Sequence, residues 1–281
     1  MFNLADHECD KSLLMQIPPD PVLSGMIKHY LIISSDHETD LQYRIFPDGN
    51  PGIAFHFGKP LMQQATEKHT RQLQPESFVY GQLTHYNTMR SNGRLLMLVV
   101  VLQPYGLYQL FRQAACDFND DATSLADLLG QQGRELEDRV LTAPDVSRAI
   151  ASIEKFFLKR LYSLTYLPPV LTTASGMMIK KAGAVTVRDL TQALPLTEKQ
   201  LERLFKQYIG IGPKRFADTI KLQQLLKQLK NPLMANIGHL AVSMGYYDQS
   251  HLNRSFSKMT SFTPTAYRSS LKLLALNLTS L

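Results

Sequence analysis

Cysteine is scarce: Cys9 and Cys116 are the only two in 281 residues. They stand far apart, and neither has a metal-ligating neighbour at usable spacing, so neither a disulfide framework nor a zinc site is expected. No apolar run reaches the roughly 20 residues that cross a bilayer. The longest, Leu95–Leu102, is strand-sized, and no membrane partner is expected. The first ten residues, Met1–Asp10, lack the basic-then-apolar order of a secretory signal, which makes a reducing cytoplasm the expected setting. There is no G-x-S-x-G, no P-loop and no H-E-x-x-H. No catalytic residue, cofactor or metal is therefore expected, and the chain does not read as an enzyme. His56 and His85 have no His-x-His partner or nearby acidic ligand, and read as ordinary strand histidines.

Charge is present but unevenly divided. The chain carries 30 Lys+Arg and 24 Asp+Glu, a net of +6. From Pro168 onward there are 15 basic and 5 acidic residues, a net of +10, which leaves −4 for the rest. A basic module joined to a mildly acidic one suggests that one half meets a polyanion.

The first part has strand signals. Tyr30–Ile33, Arg44–Phe46, Ile53–Phe57, Phe78–Gly81 and Leu95–Leu102 are apolar or β-branched runs. Pro47-Asp48-Gly49-Asn50-Pro51-Gly52 marks a turn. Helices are predicted over Tyr105–Gln113 and Ser124–Leu129, and another after Pro144 with Val146, Ile150, Ile153, Phe157 and Leu161 at helical spacing. Leu167-Pro168-Pro169 breaks that helix. The expected architecture is α+β: a strand-rich domain over residues 1–165, then an all-α domain over 166–281.

The second part repeats itself. Leu201, Arg203, Phe205, Gly210, Pro213 and Phe216 recur 51 residues later as Leu252, Arg254, Phe256, Ser261, Pro264 and Tyr267. Each copy reads as a short helix, a tight turn and a capped second helix, which is a helix-turn-helix. Thr197-x-x-Gln200 has the form of a capping box, and Asp248 holds the equivalent cap. A helix from Pro213 to about Leu229 joins the copies as a strut of roughly 25 Å. The face opposite each apolar stripe carries Lys199, Gln200, Glu202, Arg203, Lys206 and Gln207, then Gln249, Ser250, His251, Asn253, Arg254 and Lys258. Such side chains make directed contacts with base edges and phosphates, and all of them but Gln207 and His251 are the candidate DNA-binding residues. One such helix would read as a solvated face; two with arginine at the same place point to double-stranded DNA.

Gly245-Tyr246-Tyr247-Asp248-Gln249-Ser250-His251-Leu252-Asn253-Arg254-Ser255-Phe256, followed by Thr263-Pro264-x-x-Tyr267-Arg268, resembles the signature of the AraC/XylS family of bacterial transcription regulators. Leu201-x-Arg203-Leu204-Phe205-Lys206 with Gly210 and Pro213 is similar to that family's first unit. The resemblance covers about 185–268. It implies seven helices, two reading heads and one strut, with transcription regulation as the function and RNA polymerase as a further partner if the chain activates. Thr191 and Ser261 depart from the family's usual alanine and glycine. More loosely, Phe46–Gly49, Phe55–Gly58, Tyr80-Gly81 and Leu102–Gly106 resemble a sensor domain of some members. That implies a cupin-like β-barrel that binds a small effector or dimerises.

Arg44, Phe55, His56, Phe57 and Tyr80 are the candidate effector-binding residues, an apolar wall with a few polar groups. The stripe Val146–Leu161 is either a homodimer seam or part of its own domain's core. Two alternatives stand beside DNA binding by a ligand-responsive regulator: a helical interaction module, and control by a protein partner without a small-molecule pocket.

Overall fold

The computed structural model describes residues 12–36, 41–64, 71–161, 166–231 and 237–269. Cys9, Met1–Asp10 and the end of the first domain at 165 lie outside them. Among the described residues no helix is long and apolar enough to cross a membrane.

The N-terminal domain is a sandwich of two antiparallel sheets. The larger has the order β1 (Ser12–Ile17), β2 (Ile27–Ser35), β9 (Leu95–Leu102), β4 (Gly52–His56), β7 (Ser77–Tyr80), β10 (Ala122–Ser124). The smaller runs β3 (Leu41–Ile45), β8 (Asn87–Ser91), β5 (Met62–Gln64), β6 (Arg71–Leu73). The two sheets are separate, so the cupin-like arrangement is an open sandwich and not a closed barrel.

β2 and β9 are apolar along almost their whole length because both of their faces are covered. Leu31 pairs with Val99 and Ile33 with Met97, and these four face the smaller sheet. Tyr30 pairs with Val100 and Ile32 with Leu98, and these face the helices on the other side. Period-two alternation thus feeds two cores from one strand pair.

The helical side holds α1 (Gly106–Phe111), α2 (Leu125–Leu129), α3 (Gln131–Leu141) and α4 (Val146–Leu161). In α4, Ala149, Ile150, Ile153 and Phe157 are buried in the core beneath the larger sheet, and Val146 and Leu161 pack against it. Of the two readings of this stripe, burial in its own domain's core is the one the packing bears out.

The second domain is helical throughout its described residues: α5 (Pro169–Lys180), α6 (Val187–Ala193), α7 (Glu198–Tyr208), α8 (Pro213–Leu229), α9 (Ile237–Ser243), α10 (Gln249–Thr260) and α11 (Pro264–Ser269). α8 belongs to two cores. Phe216, Ala217 and Ile220 pack with Leu190, Leu201 and Phe205 of the first unit. Leu222, Leu225, Leu226 and Leu229 pack with Leu240, Leu252 and Phe256 of the second.

Candidate nucleic-acid interface

Each reading helix starts on a side-chain cap. Thr197 is the N-cap of α7, and Gln200 closes the box, its Oε1 accepting from the Thr197 N–H at 2.9 Å. Asp248 caps α10, its Oδ1 accepting from the His251 N–H at 2.7 Å. α6 opens on a second box, Thr186 with Asp189. That one went unread in the sequence although Thr-x-x-Asp was its signal. These caps satisfy N–H groups that a helix start leaves orphaned, and they fix the direction in which each helix projects.

The ten candidate residues divide by placement. Lys199, Arg203 and Lys206 on α7 are exposed, as are Gln249, Ser250, Arg254 and Lys258 on α10. Asn253 is half-buried. Gln200 is exposed, but its amide oxygen is committed to the cap. Glu202 is turned partly back: it pairs with Lys206 at 3.3 Å and lies against Gly212, where a Cβ would meet its Oε1 at 2.5 Å. The carboxylate thus sits at the start of α8, where a helix dipole favours negative charge. Arg203 and Arg254 occupy the same position in the two copies and are both exposed.

The N-terminal domain grips both units, and at equivalent points. Gly210, which follows the α7 C-cap Ile209, and Ser261, the α10 C-cap, stand 51 residues apart. The Asn119 amide donates to the Gly210 carbonyl at 2.7 Å, and the Arg44 guanidinium donates to the Ser261 hydroxyl. Gly210 has φ +103°, and a Cβ there would meet Asn119 at 2.7 Å, so the close approach needs glycine. Around the first contact Tyr108 stacks on Tyr208 with centroids 4.1 Å apart. Around the second, Arg44 lies 4.7 Å from the ring centres of both Tyr86 and Phe262. Phe46 is 1% exposed and belongs to the core of the second unit, 6.1 Å from Tyr267. Between them the Gln223 amide of α8 donates to the Pro47 carbonyl at 2.6 Å.

Asp48 lies in this seam. One carboxylate oxygen accepts from the Asn50 N–H at 2.9 Å, and the other is buried with no partner among the described residues. Burial pushes its pKa up to about 6, against the pull of Asn50 and Lys28. Burial also lowers Lys28. Both line a cavity of about 40 Å³ closed on the far side by Ile179, Ile220 and Gln223.

The five candidate effector residues do not converge. Tyr80 lines a cavity of about 60 Å³ between the sheets, with Gln63, Gln74, Phe78 and Met89. His56 is buried beside it, held by Gln74 at 3.2 Å, with burial lowering its pKa to about 4. Phe55 and Phe57 face the other way, into the helix-side core. Alternation puts both phenylalanines on one side as expected, but it is the side away from the cavity. Arg44 serves the seam and not the cavity. The seam residues Phe46, Tyr108, Asn119 and Gln223 had no local sequence signal, since each finds its partner in the other half of the chain.

Residues 190–270 match the family described as "Helix-turn-helix domain", and residues 15–124 match one described as "Domain of unknown function (DUF6597)". The chain is 29% identical over 90 residues to an HTH-type transcriptional regulator of Haemophilus influenzae, covering 31% of this chain and 29% of that protein. It is 30% identical over 84 residues to the HTH-type transcriptional regulator YidL of Escherichia coli, covering 29% and 27%. The chain spans less than a third of the length of these curated relatives. ToxT from Vibrio cholerae superposes with TM-score 0.49 at 8% identity over 85% of this chain and 97% of that one. Two capped helix-turn-helix units on one strut, with the Leu-x-Arg-x-Phe frame in each, agree with the match of residues 190–270 to the helix-turn-helix domain.

Proposed function

We propose that this protein is a sequence-specific DNA-binding transcription regulator whose N-terminal domain controls the spacing of its two reading heads. The carrying observation is the equivalence of the two units: capped helices at either end of one shared strut, each exposing an arginine at the same repeat position. Two heads on one rigid strut suit two major-groove faces on one side of a duplex, about 34 Å apart. Residues 166–281 supply the DNA contacts and residues 1–165 the control.

Control by spacing is favoured over control by masking. With the N-terminal domain docked, Lys199, Arg203, Gln249 and Arg254 remain exposed, and docking reaches only the far end of the α7 face, where Gln207 donates to the Tyr108 hydroxyl at 3.4 Å. What it holds is the pair of helix ends at Gly210 and Ser261. A signal that shifts either contact changes the distance between heads. The source of that signal is a small effector or a protein partner. The cavity beside Tyr80 is about 60 Å³, far below the roughly 300–1,000 Å³ of ordinary ligand sites. An effector there must therefore spread the sheets.

The test is selection of duplexes by the full chain, followed by salt titration of the selected duplex against a scrambled one. Selective binding that weakens steeply with salt is expected. Equal affinity for both duplexes, or no salt dependence, overturns the proposal.

A further inference from the structure

The two reading helices are entered differently, and the difference exposes one aromatic ring. In the first unit the residue before the N-cap is Leu196, which packs against that unit's core. This is the usual apolar staple at the mouth of a helix. Its equivalent 51 residues later is Tyr247, which is 90% exposed. The staple role has moved back one place. Tyr246 packs on the second core, with its ring 5.4 Å from His251 and 5.6 Å from the Lys221 ammonium. The turn of the second unit is one residue longer, and the extra residue leaves Tyr247 outside.

Tyr247 is nevertheless fixed. Its N–H donates to His251 Nδ1 at 3.4 Å, and the following residue, Asp248, is the N-cap. The backbone is held from both sides while the ring stands free next to Gln249, Ser250 and His251, all exposed. The N-terminal end of a recognition helix is the part that meets base edges. A large ring left in water there, on an anchored backbone, keeps apolar surface ready for a partner.

We propose that Tyr247 is a specificity-determining residue whose ring packs against a thymine methyl group in the major groove at the second head. Thymine is the base that presents an apolar group there, and aromatic side chains are among those that contact it. The inference rests on the DNA-binding reading of α10 and adds to it a contact outside that helix's polar face.

The experiment uses the full chain and the duplex it selects from a random pool. Each thymine is replaced singly by uracil, which removes only the methyl. Wild type and Tyr247→Phe are expected to lose about four-fold in affinity at one position, the worth of one buried methyl-sized group. Tyr247→Ala is expected to bind the parent duplex more weakly and to be indifferent to that replacement. Since the ring is exposed, the alanine variant folds. A uracil profile identical in wild type and Tyr247→Ala overturns the inference, as does an equal loss on every duplex, which marks a backbone contact. If the wild-type chain selects no duplex, the DNA-binding proposal fails and takes this inference with it.

Discussion

Ser261 sits at φ +61°, a left-handed conformation that favours glycine. The family resemblance leads one to expect glycine there, and the structure gives the reason for the departure: the serine hydroxyl accepts from Arg44. A tether has been added at the expense of local backbone ease. Ser261→Gly is expected to relieve about 1 kcal/mol of backbone strain while loosening the seam. Arg44→Ala should loosen it further, because it also gives up the Tyr86 and Phe262 rings, and Ser261→Gly should add nothing to it; a double-mutant cycle on interdomain distance, read by paired fluorophores, checks this. Asp48 gives the seam a pH dependence of defined sign. Its folded pKa, about 6, lies above the ordinary carboxylate value. The native state therefore holds the proton more tightly, and stability falls as pH rises from about 4 to about 6, then levels. The thermal midpoint should rise on going from pH 7.5 to 5, and Asp48→Asn should flatten the rise by removing the charge. An unchanged slope in that variant would assign the dependence to another group. For the reading arginines, Arg254→Ala should cost about 1–3 kcal/mol on the selected duplex and relax base preference in one half-site. Unaltered preference would mean a phosphate contact.

Among the elements, the caps and cores permit sharper expectations. Thr197→Ala removes the one hydroxyl that accepts from the Gln200 N–H and donates to the Gln200 amide oxygen, at about 1 kcal/mol. Phe46→Ala leaves a hole in the second unit's core, and large-to-small changes of that kind cost about 3–5 kcal/mol. Calorimetry should show that loss in the transition that reports α8 to α11, although the substitution lies in the sandwich half. The contrast explains what could be read in advance. The starts of α7 and α10 and the strut were legible because caps, turns and apolar spacing act within a few residues. So were β2 and β9, whose two covered faces give continuous apolar runs. α3 was missed: it is mostly polar and contains Gly133, which is required because a Cβ there would strike the Leu125 carbonyl at 2.3 Å. β5, β6 and β8 were missed as well, since stretches such as Met62–Gln64 are too short and polar to show alternation. The seam was beyond reach in principle. Its hydrogen bonds join residues 91, 176 and 217 positions apart, and periodicity states which face is apolar without saying what covers it. Arg44 and Phe55 were grouped by composition, whereas the fold sends one to the second unit's C-cap and the other to the helix-side core.

At the level of the molecule, the arrangement makes a prediction about operator geometry. Duplexes carrying the two half-sites at the selected spacing, and with one base pair added or removed, should be distinguished strongly by wild type. Asn119→Ala and Arg44→Ala should bind the altered spacings with less penalty, because each frees one head. Equal discrimination in all three proteins would show that α8 alone sets the spacing. Salt dependence belongs to this scale too. The logarithm of affinity should fall with the logarithm of salt by about 0.9 for each phosphate neutralised, and Lys258→Ala should reduce that slope by about one without changing base preference. The place of Phe46 has a different consequence. The second head completes its interior with a ring that the other half of the chain provides, so it is not a finished object when cut free. The front end of this chain could not be exchanged for another like an interchangeable handle. A graft would have to bring an aromatic side chain at that turn, aimed between Phe262 and Tyr267, or the transplanted head would receive its new partner with an unfilled socket.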